Sequence, residues 1–149
     1  VGVTEFLHGT RIYLDANVFI YALEAYTPFV EWLGELFDAI DSGELQAATS
    51  ELALAETLVK PVVDGDTALQ QVYKDAFQTT DSLYVAPVSR AILIEAAVLR
   101  AKTGTLKLPD AIHVATARAN QCQTFLTNDK NLKSIPDMRV MLLSDVVAT

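Results

Sequence analysis

Short apolar runs alternate with longer segments of helical periodicity along the whole chain, and this alternation limits the possible folds more than any other feature. The runs are "RIYLD" (11–15), "ELQAATS" (44–50), "SLYVAPVS" (82–89), "TFLTND" (124–129) and "RVMLLSD" (139–145). Apolar residues fill the first without polar alternation, which predicts a strand covered on both faces. Between the runs, "ANVFIYALE" reads as a helix. A second starts at Pro28, with Phe29, Trp32, Leu33, Leu36, Phe37 and Ile40 at helical spacing and Gly43 as its stop. Ser50 is placed to cap "ELALAETLV", after which Pro61 and Gly65 are expected to break the chain. "DTALQQVYKDAFQ" is a further helix, and Pro87 weakens the end of the third strand. Ser89 can cap "RAILIEAAVLRAKTG", which Gly104 closes, and Pro109 sits in the first turn of "DAIHVATARANQ". Strands alternating with helices predict an α/β protein of three layers, with a mostly parallel five-stranded central sheet. The 149 residues fit a single domain over 1–149.

In such sheets, ligands bind outside the carboxyl ends of the strands. Asp15, Ser50 and Asp129 end the first, second and fourth runs, which aims three polar groups at one edge. Each acid has an ordinary explanation. Asp15 can cap the next helix, Asp110 can complement the dipole of its helix N-terminus, and Asp129 can be a turn residue. Glu51, in a first turn, has the same dipole explanation. Glu56 does not. It lies in a helix that is apolar almost all round, projected beside Leu52, Ala55 and Val59, and such a helix is expected to be buried. A lone buried glutamate needs a cation, a hydrogen-bond network or a proton.

If Asp15, Glu56, Asp110 and Asp129 converge, two carboxylates about 5 Å apart repel by roughly 3 kcal/mol at an effective dielectric of about 20. A divalent cation relieves this most directly. Oxygen ligands without a Cys or His cluster select Mg²⁺, with Mn²⁺ able to substitute, over Zn²⁺ or Cu²⁺. An open magnesium site lined by acids suits phosphate esters, because the metal acidifies a bound water and neutralises the phosphate.

Four stretches in order then carry a resemblance: "YLDANVFIY", "TSELALAETL", "GTLKLPDAIHVATA" and "FLTNDKNL". Over nearly its whole length the chain resembles the PIN-domain family, and within it the VapC-type toxin ribonucleases. The resemblance implies a five-stranded, mostly parallel sheet with helices on both faces. Asp15, Glu56, Asp110 and Asp129 match the family's acidic quartet, Asn17 the polar residue beside the first acid, and Thr127 a hydroxyl that orders the site. Asn128 receives no role. Further implications are endonucleolytic cleavage of RNA with Mg²⁺ or Mn²⁺, a small antitoxin with a basic tail, and a homodimer. On this reading Asp15 and Asp129 hold the metal, Asp110 contributes directly or through water, and Glu56 orients the attacking water.

Lys102, Lys107, Lys130 and Lys133 flank the acids and are candidate RNA contacts, weighed against ordinary solvated side chains; Arg11 lies at the wrong end of its strand. Tyr13, Tyr21, Tyr26 and Trp32 could stack on bases, although their spacing favours packing. His113 lies one turn after Asp110, and its apolar neighbours favour a hydrogen-bonded structural histidine over an acid–base group.

The net charge of −8 disfavours adhesion to nucleic acid over the whole surface but not a local basic rim, and it favours a basic protein partner. No apolar stretch approaches the ~20 residues that cross a bilayer. "VGVTEFLHGT" has no secretory pattern, and the single Cys122 forms no internal disulfide, so a cytoplasmic location is expected. Two other enzyme classes also place an Asp at a strand end with Mg²⁺. The haloacid dehalogenase type wants a second Asp where Asn17 stands, and the receiver type an acidic pair that "HGTRIYL" lacks. A PIN-like ribonuclease without an antitoxin, or a non-catalytic acidic module that holds a basic partner, completes the alternatives.

Overall fold

The computed structural model describes residues 2–147. In chain order the elements are α1 (Val3–Leu7), β1 (Arg11–Leu14), α2 (Ala16–Leu23), α3 (Val30–Asp41), β2 (Gln46–Ser50), α4 (Glu51–Val63) and α5 (Thr67–Ala76). There follow β3 (Leu83–Ala86), α6 (Arg90–Lys102), α7 (Leu108–Ala119), β4 (Thr124–Thr127), one 3₁₀ turn (Lys130–Leu132), β5 (Arg139–Leu142) and α8 (Leu143–Val147). The five strands pair in the order β3-β2-β1-β4-β5, and all four neighbouring pairs are parallel.

Strand alternation builds two cores. Ile12, Leu14, Ala47, Leu83, Val85, Leu126 and Met141 point into one, which α1 to α5 and α8 cover. Tyr13, Ala48 and Phe125 point into the other, beneath α6 and α7. Side chains such as Ile12, Leu14 and Phe125 are wholly buried, and each contributes about 1.5–3 kcal/mol of burial free energy. The central strands read as continuous apolar runs because both their faces are covered.

Side-chain caps set several helix starts. The Ser50 hydroxyl accepts from the Ala53 amide at 3.3 Å, Asp66 from Leu69 at 3.0 Å and Ser89 from Ile92 at 3.2 Å. Gly43, at φ +83°, ends α3 as expected.

The structure refines the sequence reading at several points. Pro61 does not break α4. It occupies the last turn, where its missing amide forfeits a single bond, and the helix closes two residues after Val63. There Gly65, at φ +67°, donates to the Val62 carbonyl at 3.2 Å while Asp66 donates to that of Pro61 at 2.9 Å. The fifth strand stops at Leu142, and "LSD" continues into α8. The third stops at Ala86, because Pro87 has no amide to donate to a ladder. The short α1, whose buried Val3 and Leu7 lie one turn apart, was not anticipated because five residues are too few to display a period.

Candidate active site

The strand order changes direction beside β1. From β1 the chain runs outward through β2 and β3, then returns with β4 on β1's other side. The carboxyl ends of β1 and β4 therefore flank a switch point, where open parallel sheets form ligand crevices.

Asp15 follows β1 directly and is buried. It does cap α2, since one carboxylate oxygen accepts from the Ala16 amide at 2.8 Å. Its other oxygen accepts from the Thr127 hydroxyl at 2.7 Å. Thr127 ends β4, and its oxygen also accepts from the Asp129 amide at 3.1 Å and from Asn17 Nδ2 at 3.3 Å. One donated and two accepted bonds use the full capacity of a hydroxyl. The Asn17 carbonyl accepts from the Asn128 amide at 3.2 Å, which clamps the start of α2 to the end of β4. Asn128, which had no assigned role, accepts from the Ser144 amide at 3.0 Å and so ties this loop to α8. Asp129 itself accepts from the Asn131 amide at 3.0 Å, opening the 3₁₀ turn.

Glu56 reaches the same place, but not as a buried residue. The inward line of α4 is Ala53, Thr57 and Pro61, and the Glu56 side chain is 37% exposed. The other apolar flank faces outward, with Val59 61% and Val63 79% exposed. An apolar circumference did not predict burial because small residues supply the packing stripe and the valines are left outside. The Glu56 carboxylate nevertheless has a partner of the required kind, accepting from His113 Nε2 at 2.5 Å.

His113 is buried in α7 one turn beyond Asp110, and its Nδ1 lies 2.7 Å from the Tyr13 hydroxyl. Tyr13 also lies 2.9 Å from the Ser50 hydroxyl and stacks on Phe125. A hydrogen-bonded histidine was the better expectation; its partner being one of the four acids was not foreseen. The available signal was strand alternation, which puts Tyr13 and Asp15 on the same face of β1. Tyr13 is wholly buried and so cannot stack on a base.

One oxygen each of Asp15 and Glu56 and a ring nitrogen of His113 lie within 4.8 Å of one another. Asp110, in the first turn of α7, is half-buried and senses the rest. Burial raises its carboxyl above the ordinary value, and Asp129, Asp15 and Glu56 raise it further against the opposing His113. For His113, burial works to lower the imidazole. The bond to Glu56 and the charges of Asp15, Glu56 and Asp110 outweigh burial, and the net shift is upward. Burial keeps the Tyr13 phenol protonated, well above its usual range.

Among the described residues, no lysine or arginine pairs with any of the four acids; His113 supplies the one ion-pair partner. A partly buried set of carboxylates, short of positive charge and with Asp110 raised by its acidic neighbours, has the donor chemistry of a hard divalent cation site. The His113 Nε2 already engages the Glu56 carboxylate at 2.5 Å, which competes with any part as a metal ligand. Lys107 stands at the N-cap position of α7 without a side-chain cap bond and is exposed, Lys102 and Lys130 are exposed, and Lys133 pairs with Asp145 at 3.3 Å.

The family model described as "PIN domain" matches residues 12–138, a span containing all four acids. No curated protein matches the chain significantly. Among solved structures, VapBC from Salmonella typhimurium bound to DNA is similar with a TM-score of 0.69 at 16% identity, over 90% of this chain and 98% of that one. VapBC2 from Rickettsia felis bound to a promoter DNA fragment gives 0.68 at 19% identity, over 89% and 98%. VapC20 from Mycobacterium tuberculosis, a sarcin–ricin loop cleaving toxin, gives 0.61 at 17% identity, over 86% and 98%. At these identities the structures speak for the shared fold, and the family model speaks for descent: the chain belongs to the PIN domain family.

Proposed function

We propose that this chain is a metal-dependent endoribonuclease that hydrolyses RNA phosphodiester bonds, and that it is the toxin of a toxin–antitoxin pair. The observation that carries the reading is the gathering of Asp15, Glu56 and His113 within 4.8 Å at the sheet's switch point, with Asp110 near enough for Asp129, Asp15 and Glu56 to raise its carboxyl. Repelling carboxylates are retained at such a position when something positive is to be held there. Mg²⁺ fits the donors best, with Mn²⁺ as a substitute. When bound, such an ion supplies an acidified water and offsets phosphate charge.

The chain's residues take the following parts. Asp15 and Asp129 present carboxylates from the two strand ends, held by Thr127 and Asn17. Asp110 joins from α7, directly or through water. Glu56, the acid most open to solvent, orients the attacking water. Lys107 and Lys130, exposed beside Asp110 and Asp129, offer charge to the RNA backbone.

Toxin status draws support from neighbours that are themselves toxin–antitoxin complexes, including one from Klebsiella pneumoniae with a TM-score of 0.64 at 22% identity over 89% of this chain and 97% of that one. A small antitoxin with a basic tail suits the chain's net charge of −8, and a homodimer completes the proposed assembly. The test is cleavage of RNA by purified protein in Mg²⁺ or Mn²⁺, with Asp15→Asn as control, together with growth on expression. Metal-dependent cleavage and growth arrest, both lost in Asp15→Asn, are expected. Intact RNA at all metal concentrations would shift the chain to a non-catalytic acidic binding module.

A further inference from the structure

Two of the four acids are steadied by backbone amides: the Asp15 carboxylate accepts from Ala16 and that of Asp129 from Asn131, and both residues stand within the Thr127 network. Glu56 has no such support. It projects from α4 on a flexible stem, and among the described residues its carboxylate has one hydrogen-bond partner, the ring of His113. That ring is itself buried and held at both nitrogens. It is 1% exposed, meets Tyr13 edge-on at 5.7 Å between centroids, and has its second nitrogen 2.7 Å from the Tyr13 hydroxyl. Tyr13 in turn is fixed by Ser50 at 2.9 Å and by stacking on Phe125 at 5.1 Å. A rigid chain of side chains thus runs from the sheet interior to the one acid that would otherwise sample solvent.

We propose that His113, oriented by the Tyr13 hydroxyl, is a positioning residue that holds the Glu56 carboxylate beside Asp15 before cation and RNA arrive. The inference rests on the metallonuclease reading. His113 does this as a donor. Its Nε2 proton points at Glu56, and Nδ1 engages Tyr13, so neither nitrogen offers a free lone pair to a cation. Outer hydrogen-bond partners of this kind typically govern metal affinity by about 10–100-fold.

The test measures Mn²⁺ and Mg²⁺ binding by titration calorimetry, together with melting temperature, for the wild type and three variants. His113→Leu is expected to weaken both ions by about 10–100-fold, and Tyr13→Phe by a smaller factor in the same direction. His113→Gln, whose amide can still donate towards Glu56, is expected to recover most of the lost affinity. A histidine with only a packing role would lower the melting temperature of His113→Leu and leave both affinities unchanged, which would overturn the proposal. A loss confined to Mn²⁺ would make the imidazole a ligand, since nitrogen donors favour Mn²⁺ over Mg²⁺, and would also overturn it. Should His113→Leu fail to fold, unchanged affinities in Tyr13→Phe would have the same force. A wild type that takes up neither ion would refute the metallonuclease reading itself, a result distinct from a wild type that binds with indifferent variants.

Discussion

The two flanks of the acidic site are built differently. On the strand flank, Asp15 and Asp129 are tied by Thr127 and Asn17 in bonds that engage backbone amides and join β1 to β4. On the helix flank, Glu56 and Asp110 project from α4 and α7, and Glu56 depends on one side-chain donor. The strand flank is fixed by the same hydrogen bonds that hold the fold together. The helix flank is fixed by side chains alone and is the more open to water. Placement and stability are therefore inseparable on one side of the site and separable on the other.

Asp15→Asn should have the largest effect, because Asp15 belongs to the site and to the cap of α2. Cleavage is expected to fall by roughly 10³-fold, the scale of losing a preorganised charge at the reacting centre, as read from RNA cleavage rates at saturating Mn²⁺. Activity near the wild-type level would remove Asp15 from the site.

Thr127→Val comes next. It deletes a donor to Asp15 and an acceptor used by the Asp129 amide, so buried polar groups lose partners at a cost of roughly 1–3 kcal/mol. Urea unfolding should show that loss, and Mn²⁺ affinity should fall with it. A variant that lost affinity at full stability would break the comparison, since the strand flank would then be separable too.

The helix flank predicts a pH dependence of the metal-free protein. His113 has a raised affinity for protons when folded, so its contribution is fully present below the usual imidazole value near 6.5 and is lost as pH rises through the folded value. The raised Asp110 carboxyl acts with the same sign at lower pH. Thermal melts from about pH 6 to about pH 8.5 should show falling stability, and His113→Gln should flatten the slope. An unchanged slope in the variant would mean that the imidazole is not coupled to the acids.

Lys133→Ala should do least. Its partner Asp145 is exposed, and surface pairs of this kind contribute about 0–1 kcal/mol, so unfolding should barely change. RNA binding measured at low and moderate salt reveals any part that Lys133 plays in the basic rim. A large loss of stability would show that the loop after Asp129 is less independent of the strand flank than described.

The unequal legibility of the two flanks has the same origin as their unequal construction. Asp15, Asp129 and the capping serines Ser50 and Ser89 stand at boundaries between apolar runs and helical periods, and boundaries are local features of a sequence. Glu56 was legible as an anomaly, a charge in an apolar helix, but its burial was misjudged. When every face of a helix is apolar, hydropathy cannot rank the faces. Steric fit against α2 and α5 chose Ala53, Thr57 and Pro61 instead. The contact of His113 with Glu56 spans 57 positions, and that with Tyr13 spans 100. Strand alternation puts Tyr13 and Asp15 on one face of β1, but no period or cap records which residue of α7 meets them; the strand order and the packing of α7 on the sheet create the pairing.

The central claim is that side chains from β1, α4, α7 and the loop after β4 form one cation site. Crystals grown with Mn²⁺ and measured for anomalous scattering test it most directly. A peak is expected in direct contact with the Asp15 carboxylate and within one water of Asp110 and Asp129. A fully bound ion elsewhere on the surface, or a site that stays free of anomalous density at saturating Mn²⁺, would contradict it.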